Sequence, residues 1–329
     1  MRRRPALIAL GCVGLALAGA MPASAQQAAQ QPASTIRLSG VDLATQAGVA
    51  LGVMGVTSVP DGTVSDLTIS RGGGQSAGLT TWQLGTGFTV AEEFPLYLEG
   101  YLGYARYDPT FVLSDGQDQR RLPLRWNTLS ATVGVGWSFS LTERLQFRPI
   151  ISGSLGYVAS DIAVAGELLD YLTGLDIQAL KNGQAATGGV GGALVLAWYD
   201  YRPSYELEAE LRFSQMQFRT LPVYSRGFDV RSESSSIGLW TRFRWPTGVE
   251  AFGRPSRWVL EMYHSEFFAA QRDVLGIDRL TRLGGGIEAD LGRWELGAMG
   301  LYLQRFRLSG NVLLGDGARG WSFGIGMSF

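Results

Sequence analysis

The chain has 329 residues and a formal net charge of −1, and 17% of its residues are charged, against about 25% in an ordinary soluble domain. Its 46% hydrophobic content excludes a disordered chain, and its single cysteine excludes a disulfide scaffold. The balanced charge carries no signature of nucleic-acid binding, so no nucleic-acid partner is expected. With 45 Gly, 9 Trp, 12 Tyr and 15 Phe, the composition favours a β protein.

Residues 1–25 have the three parts of a secretory signal peptide. Three arginines at 2–4 precede an apolar stretch at 6–20, and Ala-Ser-Ala at 23–25 has the small-x-small pattern of a cleavage site. About 15 apolar residues are fewer than the roughly 20 that a membrane-spanning helix needs. We therefore predict cleavage after residue 25, which removes Cys12 and excludes thiol catalysis and thiolate metal sites in the mature chain.

The mature chain repeats one pattern, which is strict alternation of apolar and polar residues over long segments. In residues 205–214 a row of Tyr, Leu, Ala, Leu and Phe alternates with a row of Glu, Glu, Glu, Arg and Ser. Such alternation predicts a β-strand with two different faces. The segments exceed the roughly 5–6 residues of an average soluble strand and match the roughly 9–11 of a membrane-spanning strand. We predict an all-β fold: a transmembrane antiparallel up-and-down β-barrel whose apolar faces meet lipid.

The placement of tryptophan agrees with this interpretation. Amphipathic rings collect at the two membrane interfaces of a transmembrane barrel. Seven of the nine tryptophans lie near the ends of predicted strands, and they are expected in such a girdle: Trp82, Trp126, Trp198, Trp245, Trp258, Trp294 and Trp321.

The last segment of the chain carries the most specific pattern. A large apolar row alternates there with Ser and Gly: Trp321, Phe323, Ile325, Met327 and Phe329. This row resembles the C-terminal strand of bacterial outer-membrane proteins. The resemblance implies the outer membrane of a Gram-negative bacterium and contact with its lipid and lipopolysaccharide. It also implies recognition by the barrel-assembly machinery and periplasmic chaperones during biogenesis.

The pattern predicts about 12 strands. An even strand number and an inward-running last strand are typical of bacterial barrels. The alternative is 14 strands, with an added hairpin from 35–40 and 41–58. The predicted domains are a signal peptide (1–25), an N-terminal periplasmic or pore-occupying segment (26–63) and the barrel (64–329). The predicted strands are 64–71, 79–91, 95–107, 125–140, 144–158, 186–200, 203–219, 233–246, 256–269, 278–291, 292–308 and 318–329.

The connections are expected to alternate between tight periplasmic turns and longer outer loops. We predict a tight turn around Gly292, one long periplasmic turn from Pro246 to Pro255, and an outer connection at 309–317. The outer connection 159–185 has helical spacing and predicts a short helix in that loop.

The signal peptide, the barrel that reaches the C-terminus and a segment at 41–58 able to occupy the pore together resemble an outer-membrane barrel of the autotransporter type. The resemblance covers roughly residues 41–329. An autotransporter has a long passenger before its barrel, whereas only 26–63 precede the first predicted strand here. The likeness therefore implies a solitary autotransporter-like barrel without a passenger, and no catalytic residue carries over.

Charged residues on predicted inward faces are the candidate functional residues. Opposite charges on neighbouring strands pair across them, so these residues form either a network that plugs the lumen or the lining of a weakly selective pore. The predicted lumen charge network comprises Glu206, Glu208, Glu210, Arg212, Arg242, Arg244, Glu261, Arg282 and Glu288.

The only histidine, His264, is followed by Ser265 on the opposite face, so the sequence offers no local base–nucleophile pair. We expect a structural role for His264, and no catalytic, cofactor-binding or metal-binding residues. The predicted function is a non-enzymatic outer-membrane barrel that serves as a membrane scaffold or small pore. The alternative is a lipid- or peptide-hydrolysing barrel enzyme with a site at the outer rim.

Overall fold

The chain divides into two units, Met1–Ile36 and Arg37–Phe329, and the residues described in the computed structural model all belong to the second. The signal peptide, the 35–40 segment and the helix predicted within 159–185, which falls on 162–183, lie outside the described residues. The predicted domain boundaries therefore stay predictions. The structure describes residues 51–52, 54, 63–71, 75–114, 119–123, 125–161, 184–226, 230–251, 253–268, 271–272, 276–291, 297–298, 301–302 and 305–328.

Nearly all of the described residues lie in antiparallel strands. No helix in these ranges is long and apolar enough to cross a membrane. In chain order the strands are β1 (Thr63–Arg71), β2 (Gln75–Thr89), β3 (Leu96–Ser114), β4 (Gln119–Pro123), β5 (Trp126–Trp137), β6 (Phe139–Ser140), β7 (Leu145–Ser160), β8 (Gln184–Arg202), β9 (Tyr205–Arg226), β10 (Arg231–Ala251), β11 (Arg254–Phe268), β12 (Arg279–Asp290), β13 (Gly297–Ala298), β14 (Leu301–Tyr302), β15 (Arg305–Gly315) and β16 (Ala318–Ser328).

Twelve of these strands close into a barrel. Each strand from β5 round to β16 pairs with its neighbours, β16 pairs with β1, β1 with β2, and β2 with β3, which pairs with β5. The four short strands are accessory: β4 pairs with the end of β3, β6 pairs with β7, and β13 pairs with β14. Closure removes exposed strand edges, and it confirms the predicted antiparallel barrel with 12 strands.

The two ends of the barrel differ in their connections. We call the end that carries the two-residue β8–β9 turn at 203–204 the turn end, and the end that carries the β7–β8 connection at 161–183 the loop end. The long turn predicted from Pro246 to Pro255 is wrong, because β10 and β11 continue to Ala251 and from Arg254 around Gly253, whose φ of 71° suits glycine.

The penultimate strand is the one strand placed wrongly by the sequence pattern. It runs from Arg305 to Gly315 rather than over 292–308, and the turn at the loop end is Asp316–Gly317. Gly310 resembles a turn residue in the sequence but lies in mid-strand, opposite Gly285 of β12. The connection from β12 to β15 is consequently long, whereas a tight turn around Gly292 was predicted.

The outward face of the barrel wall is apolar. Large side chains that a soluble protein would bury are exposed there, with Ile151 at 79%, Val190 at 68% and Leu155 at 67%. Such a continuous apolar surface requires lipid rather than water around it.

Trp82, Trp258 and Trp321 are also exposed on the outward face, the face on which the predicted girdle lies. Trp126 departs from that prediction, because it is fully buried in the barrel interior. Trp294 lies outside the described residues.

Candidate functional site in the barrel interior

The loop-end half of the interior is filled by apolar side chains, which we call the apolar layer. Eight of the twelve barrel strands contribute to it, so the layer extends around the whole wall. Trp126 is its largest fully buried side chain. Its buried members are Leu51, Met54, Ala77, Leu79, Ala105, Tyr107, Trp126, Val158, Met216, Phe218, Phe267, Ile277, Leu313 and Ala318.

Two residues that precede the first strand belong to the apolar layer. Leu51 and Met54 are helical and both are 0% exposed. The Sδ atom of Met54 accepts a hydrogen bond from the Thr187 hydroxyl of β8 at 3.3 Å. A Cβ atom added at Gly156 of β7 would lie 2.4 Å from the Met54 Cε atom, so glycine at 156 makes room for this methionine. Both residues therefore fill space that the barrel strands leave open.

The turn-end half of the interior is charged instead, and it is centred on Arg244 of β10. The Arg244 guanidinium lies 2.8 Å from a Glu208 oxygen and 3.2 Å from both Glu206 and Glu288. Glu206 and Glu208 belong to β9, the neighbour of β10 on one side. Glu288 belongs to β12, the second strand on the other side. The short contacts of these three carboxylates with Arg244 neutralise side chains that are 15% exposed or less.

Four more arginines join the same carboxylates, and together with Arg244 and four glutamates they form what we call the arginine–glutamate network. Arg242 Nε lies 2.6 Å from Glu261 Oε1, and Arg305 Nη1 lies 2.6 Å from Glu206 Oε2. Arg307 lies 3.4 Å from Glu261. The network consists of Arg242, Arg244, Arg257, Arg305, Arg307, Glu206, Glu208, Glu261 and Glu288.

A second polar group, the tyrosine–arginine cluster, fills the opposite side of the lumen at the same end. Arg212 of β9 binds both carboxylate oxygens of Glu99 of β3, at 2.7 and 2.9 Å, and the Tyr101 hydroxyl donates to the same carboxylate. The Glu99 side chain is 0% exposed. A buried bidentate pair of this kind is charge-assisted and geometrically specific.

The remaining members of the tyrosine–arginine cluster pack beside that pair. The Arg148 guanidinium of β7 lies 4.0 Å from the centre of the Tyr97 ring, a cation–π contact. The Tyr199 hydroxyl donates to Glu210 at 2.9 Å. The cluster is thus Tyr97, Glu99, Tyr101, Arg148, Tyr199, Glu210 and Arg212.

Some of these contacts cross the lumen rather than follow the wall. Strands β3 and β9, which hold Glu99 and Arg212, are separated by β5, β7 and β8. Strands β9 and β15, which hold Glu206 and Arg305, are separated by β10, β11 and β12. Side chains from strands that are not neighbours in the ring therefore meet inside the lumen at the turn end.

The structure places eight of the nine predicted lumen residues in these two groups. Glu206, Glu208, Arg242, Arg244, Glu261 and Glu288 join the arginine–glutamate network, and Glu210 and Arg212 join the tyrosine–arginine cluster. Arg282 is 9% exposed, and its guanidinium lies 5.5 Å from the centre of the Tyr263 ring.

The sequence reasoning missed five charged members of these two groups: Glu99, Arg148, Arg257, Arg305 and Arg307. The signal was present, because Arg305 and Arg307 alternate with Phe306 and Leu308. The misplaced penultimate strand ended at 308, which hid the inward row that these arginines begin.

The only histidine lies on the outward face. His264 Nδ1 forms a hydrogen bond of 2.8 Å with the Thr281 hydroxyl of β12, and its Nε2 lies 3.8 Å from a Glu266 oxygen. Leu239, opposite His264 on β10, is exposed on the same face. His264 thus bridges two strands near the loop end. Among the described ranges, no group of His, Cys, Asp and Glu is arranged to hold a metal ion.

The C-terminal row also faces outward where it is described. Trp321, Phe323 and Ile325 are 43–57% exposed and alternate with inward Ser322 and Gly324. The Met327 side chain and Phe329 lie outside the described residues.

No family model matches the sequence, and no curated protein matches it. Solved structures do. The β domain of the Bordetella autotransporter BrkA is 18% identical, with a TM-score of 0.44, covering 81% of this chain and 96% of that one. The translocator domain of the autotransporter NalP from Neisseria meningitidis is 14% identical, with a TM-score of 0.41, covering 85% and 93%. The KdgM porin is 7% identical, with a TM-score of 0.36, covering 81% and 99%.

The chain is a transmembrane antiparallel β-barrel. The ring of twelve paired strands and the apolar outward face are the observations that carry this statement. Whether it serves as a scaffold or a pore depends on the contents of its own lumen.

Proposed function

We propose that the protein is a non-enzymatic outer-membrane scaffold whose lumen is closed. The observation that carries the proposal is the pair of bridges across the lumen, Arg212–Glu99 and Arg305–Glu206, at the turn end. A porin lining holds its charges on the wall, around water. Here opposite charges from strands that are separated by three others meet inside the lumen, and the apolar layer fills the other half.

The two halves close the lumen independently of each other. The apolar layer takes residues from eight strands together with Leu51 and Met54, which come from the segment before the barrel. The polar groups at the turn end involve neither of these two residues. An ion on its way through the barrel would therefore meet two separate barriers of different chemistry.

Single-channel recording in planar bilayers tests the proposal. We expect no stable current steps from the refolded wild-type barrel. We also expect none from L51A/M54A, which opens only the apolar layer, or from R212M/R305M, which opens only the turn end. The combination of all four substitutions should conduct. Val133→Ala on the outward face is the matched control, and stable steps from the wild type would contradict the closed lumen.

A second candidate function, a rim hydrolase, is favoured by one observation. Thr281, His264 and Glu266 lie in a row on the outward face, with a hydroxyl, an imidazole and a carboxylate in nucleophile–base–acid order. Phospholipid hydrolysis by the folded barrel in mixed micelles tests it. If the barrel is a hydrolase of this kind, the wild type is active and His264→Ala is not. If it is the non-enzymatic scaffold that we propose, the wild type is already inactive.

A further inference from the structure

Two arginines face each other on the outward face at the loop end. Arg219 of β9 and Arg231 of β10 are directly opposite in the strand register, and both side chains are exposed. Like charges in this position destabilise a strand pair. Within the described ranges neither arginine forms an ion pair; the nearby Glu233 carboxylate accepts a hydrogen bond from the Gln215 amide instead. The described residues thus leave two positive charges side by side on the outward face.

The outward row of β9 changes in polarity toward this pair. Moving to the loop end, the row runs from Phe213 through the amides Gln215 and Gln217 to Arg219. Hydrocarbon, amide and cation therefore follow one another over three steps of the strand. The order matches the order of chemical groups in a leaflet, from acyl chain through polar linkage to phosphate.

A groove of about 500 Å³ lies beside this row, between β7, β8 and β9. It forms where Gly192 of β8, on the outward face, leaves the wall without a side chain between larger neighbours. Its outward walls are apolar, and its rim toward the loop end is Gln215 and Gln217. Val190 pairs with Gln217 in the register, so Arg219 is the next outward residue beyond the rim.

We propose that this surface binds a phosphorylated, multiply acylated glycolipid, the lipid A portion of lipopolysaccharide. A phosphate lies between Arg219 and Arg231, and one acyl chain lies in the groove. Arginine binds phosphate bidentately, and two opposed guanidinium groups favour a doubly charged phosphomonoester over the single charge of a phosphodiester lipid. The inference rests on the proposed outer-membrane function and on the predicted outer position of the connection at 159–185, which puts the loop end in the outer leaflet.

Lipid binding to the folded full-length barrel in detergent tests this inference. The probes are bisphosphorylated lipid A, the same lipid without its phosphates, and phosphatidylglycerol. We expect the wild type to bind bisphosphorylated lipid A at least about tenfold more tightly than either other lipid, which is the size of one charge-assisted contact. R219Q/R231Q should lose this preference, and Val190→Trp, which fills the groove, should weaken binding several-fold.

Arg279→Gln is the matched control, because Arg279 is an exposed arginine at the same end that already pairs with Asp316 at 3.1 Å. It should bind as the wild type does. The proposal is overturned if R219Q/R231Q binds like the wild type, if Arg279→Gln loses as much affinity, or if phosphatidylglycerol binds equally well. Wild-type binding by Val190→Trp overturns the acyl-chain part. None of these readouts depends on conductance, so they stand apart from the test of the closed lumen.

Discussion

The two halves of the lumen fill one barrel by opposite means. The loop-end half is an ordinary hydrophobic core, with Trp126 and Phe218 buried among side chains from around the ring. The turn-end half packs five arginines and four glutamates into one network. Burial of apolar area stabilises the first half at about 25 cal/mol per Å². In the turn-end half, the attraction between arginines and glutamates must first offset the free-energy cost of removing their charges from water.

Because of this difference, we expect the loss of one side chain to change the free energy of unfolding differently in the two halves. A core that loses a methyl group keeps its other contacts and gains a cavity. A network that loses one cation removes a short contact from several buried carboxylates at once, and the penalty extends to side chains that were not changed. Unfolding measurements on single variants can therefore separate the two.

The largest effect is expected for Arg244→Ala. The substitution leaves Glu206, Glu208 and Glu288 without the guanidinium that contacts all three. Removing one partner of a buried ion pair costs about 3–5 kcal/mol. Equilibrium unfolding in guanidinium, followed by heat-modifiable gel mobility, measures it.

Arg254→Ala is the control for that change. Arg254 is an arginine of the same end whose pair with Asp290 is about 30% exposed, at 3.4 Å. Its loss is expected to cost under about 1 kcal/mol. Equal losses in the two variants would show that burial does not set the strength of these pairs.

The next effect is expected in the apolar layer, for Met54→Ala. Met54 is 0% exposed and contacts β7 and β8. Truncation of a buried methionine costs about 2–5 kcal/mol, depending on how far the site collapses. The same unfolding assay applies, with Val133→Ala on the outward face as a comparison. An unchanged midpoint for Met54→Ala would mean that this residue leaves the apolar layer in solution.

The smallest effect concerns two glycines of β7. A Cβ atom at Gly156 would lie 2.4 Å from Met54 Cε and 2.9 Å from the Leu129 carbonyl oxygen, whereas a Cβ atom at Gly153 meets nothing within 4 Å. Gly156→Ala is expected to cost about 1–3 kcal/mol through overpacking. Gly153→Ala should stay within about 0.5 kcal/mol of the wild type. If both alanines behave alike, the packing around Met54 is looser than the structure has it.

Most of the fold could be predicted from the alternation of apolar and polar residues along each strand. It separated Glu206, Glu208 and Arg212 from their apolar neighbours, and parity of the strand directions led to twelve strands. The pattern failed at 309–317, which was predicted as one outer connection, because only the pairing of β15 with β12 and β16 shows that 309–315 are strand and that the turn is 316–317. Trp126 was misplaced for a related reason, since a tryptophan at a strand end suits either an interface or a buried core.

The sequence could not predict which charged side chains pair with each other inside the lumen. Arg212 and Glu99 are 113 residues apart, and Arg305 and Glu206 are 99 residues apart. Alternation determines which face a side chain occupies, but the barrel's closure determines which faces meet across it. The same applies to Arg219 and Arg231, whose opposition depends on the register of β9 with β10.

The sequence by itself determined the two-faced strands, their number and the apolar surface, because side-chain period and strand length are local properties of the chain. Only the tertiary structure decided which side chains meet inside the barrel. That outcome depends on which residues from distant strands face each other in the lumen, and closure of the ring through β1 and β16 brings them together.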